Sequence, residues 1–203
     1  MAAFVIGAGI LLQVAAWGLI AAGRVAFWPA TTIAFVILGA AAVLVRDPGS
    51  FEAAPIAVGL GSGVVLYLAT RVAVGVLARS ARFASSLDEV YGRSQELPTS
   101  LVWVLTVAVA VPGEELFWRG LVLPELQDAT SVVLGACLAW LGYVAVNAVS
   151  RNLAIVAAAI VGGAVWTILG SRLDVAAPVA SHLAWTGLML AWPPSGDRAK
   201  VRT

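Results

Sequence analysis

The sequence predicts an all-α, polytopic membrane helix bundle with about seven transmembrane helices. Three observations carry that reading. Apolar residues make up 61% of the 203 positions and charged residues only 11%, the mean hydropathy is strongly positive, and the apolar residues fall into separate runs. A soluble domain has about a quarter of its residues charged, whereas a membrane-spanning helix needs about 20 predominantly apolar ones in succession.

In chain order the runs lie at 3–23, 27–45, 54–78, 99–123, 131–150, 153–171 and 175–193. The breaks between them hold residues that stop or cap helices: Arg24, then Arg46-Asp47-Pro48-Gly49, Gln127-Asp128 with Thr130 as the next cap, Arg151-Asn152, and Arg172-Leu173-Asp174. The segment from Met1 to Gly23 lacks a basic leading region and a cleavage site, so it reads as a first transmembrane helix and not a signal peptide. The long polar stretch at 79–98, with Arg82, Asp88, Glu89, Arg93 and Glu96, predicts an amphipathic surface segment leading into the fourth run. Arg71, inside the third run, reads as a snorkelling side chain.

These runs make one membrane-embedded domain, residues 1–203, with a polar tail at 194–203. The partner implied first is the lipid bilayer. A net charge of +1 without a basic tract argues against nucleic acid. Cys137 is the single cysteine, which excludes a disulfide framework and a thiolate metal cluster and reads as a small packing residue. With seven helices, Arg24, Arg79, Arg82, Arg93, Arg151, Arg198, Lys200 and Arg202 share one side, against Arg46 and Arg172 on the other. The positive-inside rule then predicts a multi-pass protein of the cell membrane with a cytoplasmic C-terminus.

The chemistry concentrates in Val111-Pro112-Gly113-Glu114-Glu115-Leu116-Phe117-Trp118-Arg119-Gly120. A charge at mid-membrane costs about 2.5–3.5 kcal/mol on insertion scales, so an ionisable residue there is a functional candidate whose partner must be found. Glu115 and Arg119 are four residues apart and share a helix face as an ion pair. Glu114 lies about 100° around the helix, where no local cation neutralises it and its carboxylate is free to take a proton. Pro112 and Gly113 loosen the helix just upstream. The bland alternative is a helix end at the interface, with its charges in water.

Three further polar positions fall inside apolar runs: Asn147, four residues after Tyr143, then His182, the sole histidine, and Thr186 one turn beyond it. A histidine in such a place serves either as a hydrogen bond between helices or as a catalytic group. Together with Glu114 these side chains make a water-activating site.

In order and spacing, Glu114-Glu115-x-x-x-Arg119, then Tyr143 and Asn147, then His182-x-x-x-Thr186 resemble the CPBP family of intramembrane proteases over residues 56–193. That family includes CAAX prenyl endopeptidases and bacteriocin-processing proteins. The resemblance implies a protease-like core at 56–193 and an endopeptidase that cleaves a membrane-embedded or lipidated peptide. It also implies Glu114 as general base, Glu115 and Arg119 shaping the site, and His182 as oxyanion donor. Asn147 stands where the family has a histidine, and Thr186 where it has asparagine or aspartate. These departures keep open a catalytically impaired homologue that binds a membrane partner as a scaffold; a small transporter using buried charges is the third reading. No cofactor is expected. A divalent metal such as zinc on Glu114, Glu115 and His182 is the alternative, but catalytic zinc sites are richer in histidine, and this one would occupy the proposed base.

Overall fold

Each of the seven apolar runs becomes a helix, and the polar stretch an eighth. The computed structural model describes residues 1–194. The helices are α1 Ala2–Ala21, α2 Phe27–Val45, α3 Ala53–Leu77, α4 Ala81–Arg93, α5 Thr99–Ala129, α6 Val132–Ala148, α7 Leu153–Arg172 and α8 Ala176–Ala191. No strand occurs among the described residues. Residues 195–203, with Arg198, Lys200, Arg202 and nearly all of the expected tail, lie outside them.

Five helices, α1, α2, α3, α5 and α7, are long and apolar enough to cross a membrane. The other two apolar runs form shorter helices, α6 of 17 residues and α8 of 16, rising about 24–26 Å at 1.5 Å per residue. Helix α8 is the inner one, buried continuously from Ala176 to His182. The molecule is a helical membrane bundle.

Two local expectations need correction. The fourth run continues helical to Ala129, through Gln127 and Asp128, because neighbours satisfy both polar side chains. Gln127 Nε2 donates to Val132 O and Ser171 Oγ at 3.1 Å each, and Asp128 accepts from Arg46 at 3.0 Å. The break falls at Thr130, and the cap of α6 is Ser131, whose hydroxyl accepts from the Leu134 amide. Cys137 is exposed rather than packed. The inner stripe of α6 is Gly135, Ala139, Tyr143, Val146 and Asn147, and Cys137 is turned about 200° from its start.

Helix α5 is the irregular element. Its ladder widens to π-helical pairing over Val104–Ala110 and again over Trp118–Val122. Each widened stretch leads into a proline at the next helical turn, Pro112 and Pro124, which supplies no amide to the carbonyl one turn back. The segment between them, Val111–Phe117, carries both glutamates.

Glycines let the backbones close up around this segment. A Cβ on Gly113 would strike the Phe35 carbonyl of α2, and one on Gly39 would lie 2.8 Å from Gly113 Cα. Gly59 and Gly63 of α3 meet the Ala177 and Ser181 carbonyls of α8 in the same way, as small residues do in membrane helix pairs. Ser62 Oγ donates to Ser181 Oγ across that contact at 2.9 Å.

The polar ends sort as the alternation of helices requires. At one end Trp28 Nε1 donates to Arg93 O, and Asn152 Nδ2 donates to Ser86 O and Glu89 Oε2. At the other, Arg46 pairs with Glu125 and Asp128. Arg71 lies exposed and donates to the Tyr67 hydroxyl at 2.9 Å.

Candidate active site

Helix α5 presents Glu114 and Glu115 to different surroundings, as two residues about 100° apart must. Glu115 is fully buried. Its Oε1 accepts from Arg119 Nη1 at 3.1 Å and lies 2.8 Å from His182 Nδ1. Arg119 Nη2 donates to Gly163 O of α7 at 3.1 Å, and its guanidinium stacks 4.3 Å from the centre of the Tyr143 ring. One ion pair therefore ties α5 to α6, α7 and α8.

Glu114 faces a cavity of about 450 Å³ that Tyr143, Asn147, Trp166, His182 and Thr186 also line. The apolar remainder of the wall comes from α1, α2, α3, α4 and α7, with Phe83, Leu87 and Tyr91 contributed by α4. The amphipathic stretch thus covers one end of the cavity. Its outer residues clasp the neighbouring turn: Glu89 accepts from Arg93 Nη2, and the Arg93 guanidinium hydrogen-bonded to it holds its carboxyl below the usual carboxylate range.

The six candidate residues come together, in two groups. Glu114, Asn147, His182 and Thr186 meet at the cavity; Glu115 and Arg119 lie behind it. His182 belongs to both. Because a carboxylate accepts, the hydrogen sits on Nδ1, which leaves Nε2 for the cavity. The ring is held flat by Trp166, stacked at 3.6 Å between centroids and 15° between planes. Asn147 Nδ2 donates to Tyr143 O on its own helix at 3.0 Å, leaving Oδ1 free of that bond.

Around His182, three buried atoms find no hydrogen-bond partner among the described residues: Glu115 Oε2, Trp166 Nε1 and Thr186 Oγ1. Buried polar groups are otherwise almost always paired. Glu115 Oε1 and His182 Nδ1 are spent on each other, Arg119 brings a positive charge to the same carboxylate, and no cluster of three metal-binding side chains forms among the described residues.

Trp166, Gly163 and Thr167 are site neighbours that pattern reading passes over. They sit in a run with no charge inside it, and only the packing of α7 on α5 reveals them.

No curated protein and no solved structure matches the chain. Residues 96–188, from just before α5 into α8, match the family model described as Type II CAAX prenyl endopeptidase Rce1-like. That match is narrower than the 56–193 resemblance but contains all six candidate residues, and this similarity to the Rce1-like, type II CAAX prenyl endopeptidase family over 96–188 is in keeping with the CPBP resemblance.

Proposed function

We propose that the chain is a glutamate-dependent intramembrane endopeptidase acting on a membrane-embedded or lipidated peptide. The observation that carries the reading is the separation of the paired acids: Glu115 is bound to Arg119 and His182, while Glu114 lines the cavity. A carboxylate without a fixed cation beside a space large enough for a peptide segment is placed to take a proton from water. Asn147 Oδ1 accepts the water's second hydrogen. The hydroxide formed attacks the scissile carbonyl, and the proton on Glu114 passes to the leaving amine.

His182 serves the oxyanion through Nε2, which donates only when the ring carries both protons. Thr186 offers a hydroxyl donor one turn away. No metal enters the scheme, since a zinc ion at these side chains would take the Glu114 carboxylate that serves as the base and would lie beside the Arg119 charge already paired with Glu115.

The test is cleavage of membrane peptides by purified wild-type protein against Glu114→Gln, which removes the proton acceptor and keeps the shape. Product from wild type and none from Glu114→Gln is expected. Equal cleavage by both sinks the assignment.

One observation favours a second reading, a non-cleaving relative that binds a membrane partner. Asn147 cannot take a proton, and one of its two amide hydrogens is already used on Tyr143 O. Absence of product from wild type, with partner binding retained in Glu114→Gln, is what that reading expects.

A further inference from the structure

Helix α1 lies outside residues 96–188, yet it reaches the catalytic segment through one buried amide. Gln13 is 1% exposed, and its Oε1 accepts from Trp118 Nε1 at 3.0 Å across 105 residues of sequence. One turn earlier, Gly9 leaves the space into which Phe117 packs: a Cβ there would stand 2.5 Å from the Phe117 ring. Consecutive residues of α5 are thus held by consecutive turns of α1.

An apolar side chain would join the two helices without burying an amide, and the Gln13 Nε2 has no acceptor among the described residues. What the amide adds is direction, because a hydrogen bond fixes the angle of the indole where van der Waals contact does not. Trp118 needs such fixing. It opens the second π-helical stretch, where the ladder is widened, and it stands four residues after Glu114 on the same face. Its ring meets the Tyr143 ring edge-on at 5.5 Å, and Tyr143 lines the cavity beside Glu114. Rotating the indole therefore moves the wall against which Glu114 is set.

We propose that Gln13 is a positioning residue: through Trp118 it fixes the face of α5 and the Tyr143 ring that set Glu114, so that the site extends beyond the family domain into α1. This rests on Glu114 acting as the base, and its test must not depend on cleavage alone. Full-length Gln13→Met, Gln13→Glu, Trp118→Phe and the double Gln13→Met/Trp118→Phe are compared by two readouts. The first is kcat and KM on a membrane peptide. The second is the rate at which dicyclohexylcarbodiimide, an apolar carboxyl reagent, labels Glu114, followed by mass spectrometry.

Gln13→Met and Trp118→Phe should each lower kcat about tenfold at unchanged KM, with no further loss in the double variant, since they break one coupled interaction. Gln13→Glu, which keeps the acceptor, should restore kcat. Labelling should follow the same pattern. Wild-type kcat and labelling in Gln13→Met, or losses that multiply in the double variant, overturn the proposal. If Glu114→Gln cleaves like wild type, the protease assignment fails while the labelling pattern still decides the role of Gln13. If Gln13→Met does not accumulate, Trp118→Phe decides by the same readouts.

Discussion

Glu115 Oε1 is shared between two nitrogen donors, Arg119 Nη1 at 3.1 Å and His182 Nδ1 at 2.8 Å. A single oxygen thereby joins the helix that carries both glutamates to the helix that carries the histidine. Removing it strands a guanidinium that is only 4% exposed at residue level. Breaking one side of a buried pair costs about 3–5 kcal/mol, so Glu115→Ala should lower the thermal midpoint and the amount recovered from membranes. Glu115→Ala with Arg119→Met should recover part of the loss, because no unpaired charge is left. A double variant no more stable than the single one would show that the pair does not hold the bundle.

Asn147 tests how the departure from the family pattern bears on rate. Its side chain lines the cavity with Glu114, and an imidazole there can make the same hydrogen bonds and also carry a proton. Asn147→His should cleave at least as fast as wild type, with the gain in kcat and not in KM. A clear fall in kcat in a normally folded protein would mean that the amide is used for something imidazole cannot do.

Much of this arrangement was legible in residue order, and what was not has a physical cause. Helix positions followed from apolar runs because hydrocarbon forces each span to satisfy its own backbone. The pairing of Glu115 with Arg119 followed from their spacing of four. That Glu115 also takes His182 did not, since the partners are 67 residues apart and meet only through the packing of α5 on α8. Gln127 and Asp128 were misleading for the same reason. Their polarity reads as a break until Arg46 of α2 and Ser171 of α7 are placed beside them. Trp166 and Gln13 carried no signal of their role, because a tryptophan or a lone amide in an apolar run has no spacing to betray its partner.

Steric closeness makes Gly113 a second point of fragility. Its missing side chain is where the Phe35 carbonyl of α2 passes, and backbone cannot step aside as a flexible side chain can. Gly113→Ala should therefore push α2 from α5 and cost about 1–3 kcal/mol, the range for overpacked interiors. Gly61→Ala is the control, since a methyl there meets nothing within 4 Å. Thermal midpoints in detergent measure both. Equal midpoints for the two variants would show that the α2–α5 contact yields easily.

The clasp on α4 should respond to acid. Glu89 Oε1 accepts from Arg93 Nη2, and its Oε2 accepts from Asn152 Nδ2, whose Oδ1 caps α7 at Ala154 and Ile155. The hydrogen bond from Arg93, supported by the one from Asn152, holds the Glu89 carboxyl below its ordinary value of 4.5. A carboxyl depressed in the folded state stabilises above its unfolded value, and that stabilisation is lost as pH falls through the folded one. The window therefore lies at and below about pH 4.5. The Glu89 side chain is 53% exposed, so solvent screening limits the gain to the range of about 0–1 kcal/mol seen for surface pairs. The midpoint of wild type should exceed that of Glu89→Gln by a small margin at neutral pH, and the gap should close as the solution is acidified through this window. Salt should narrow it as well, because the pair is exposed. A gap unchanged between pH 7 and pH 3 would assign the clasp to the Asn152 cap alone, with no share for the carboxylate charge.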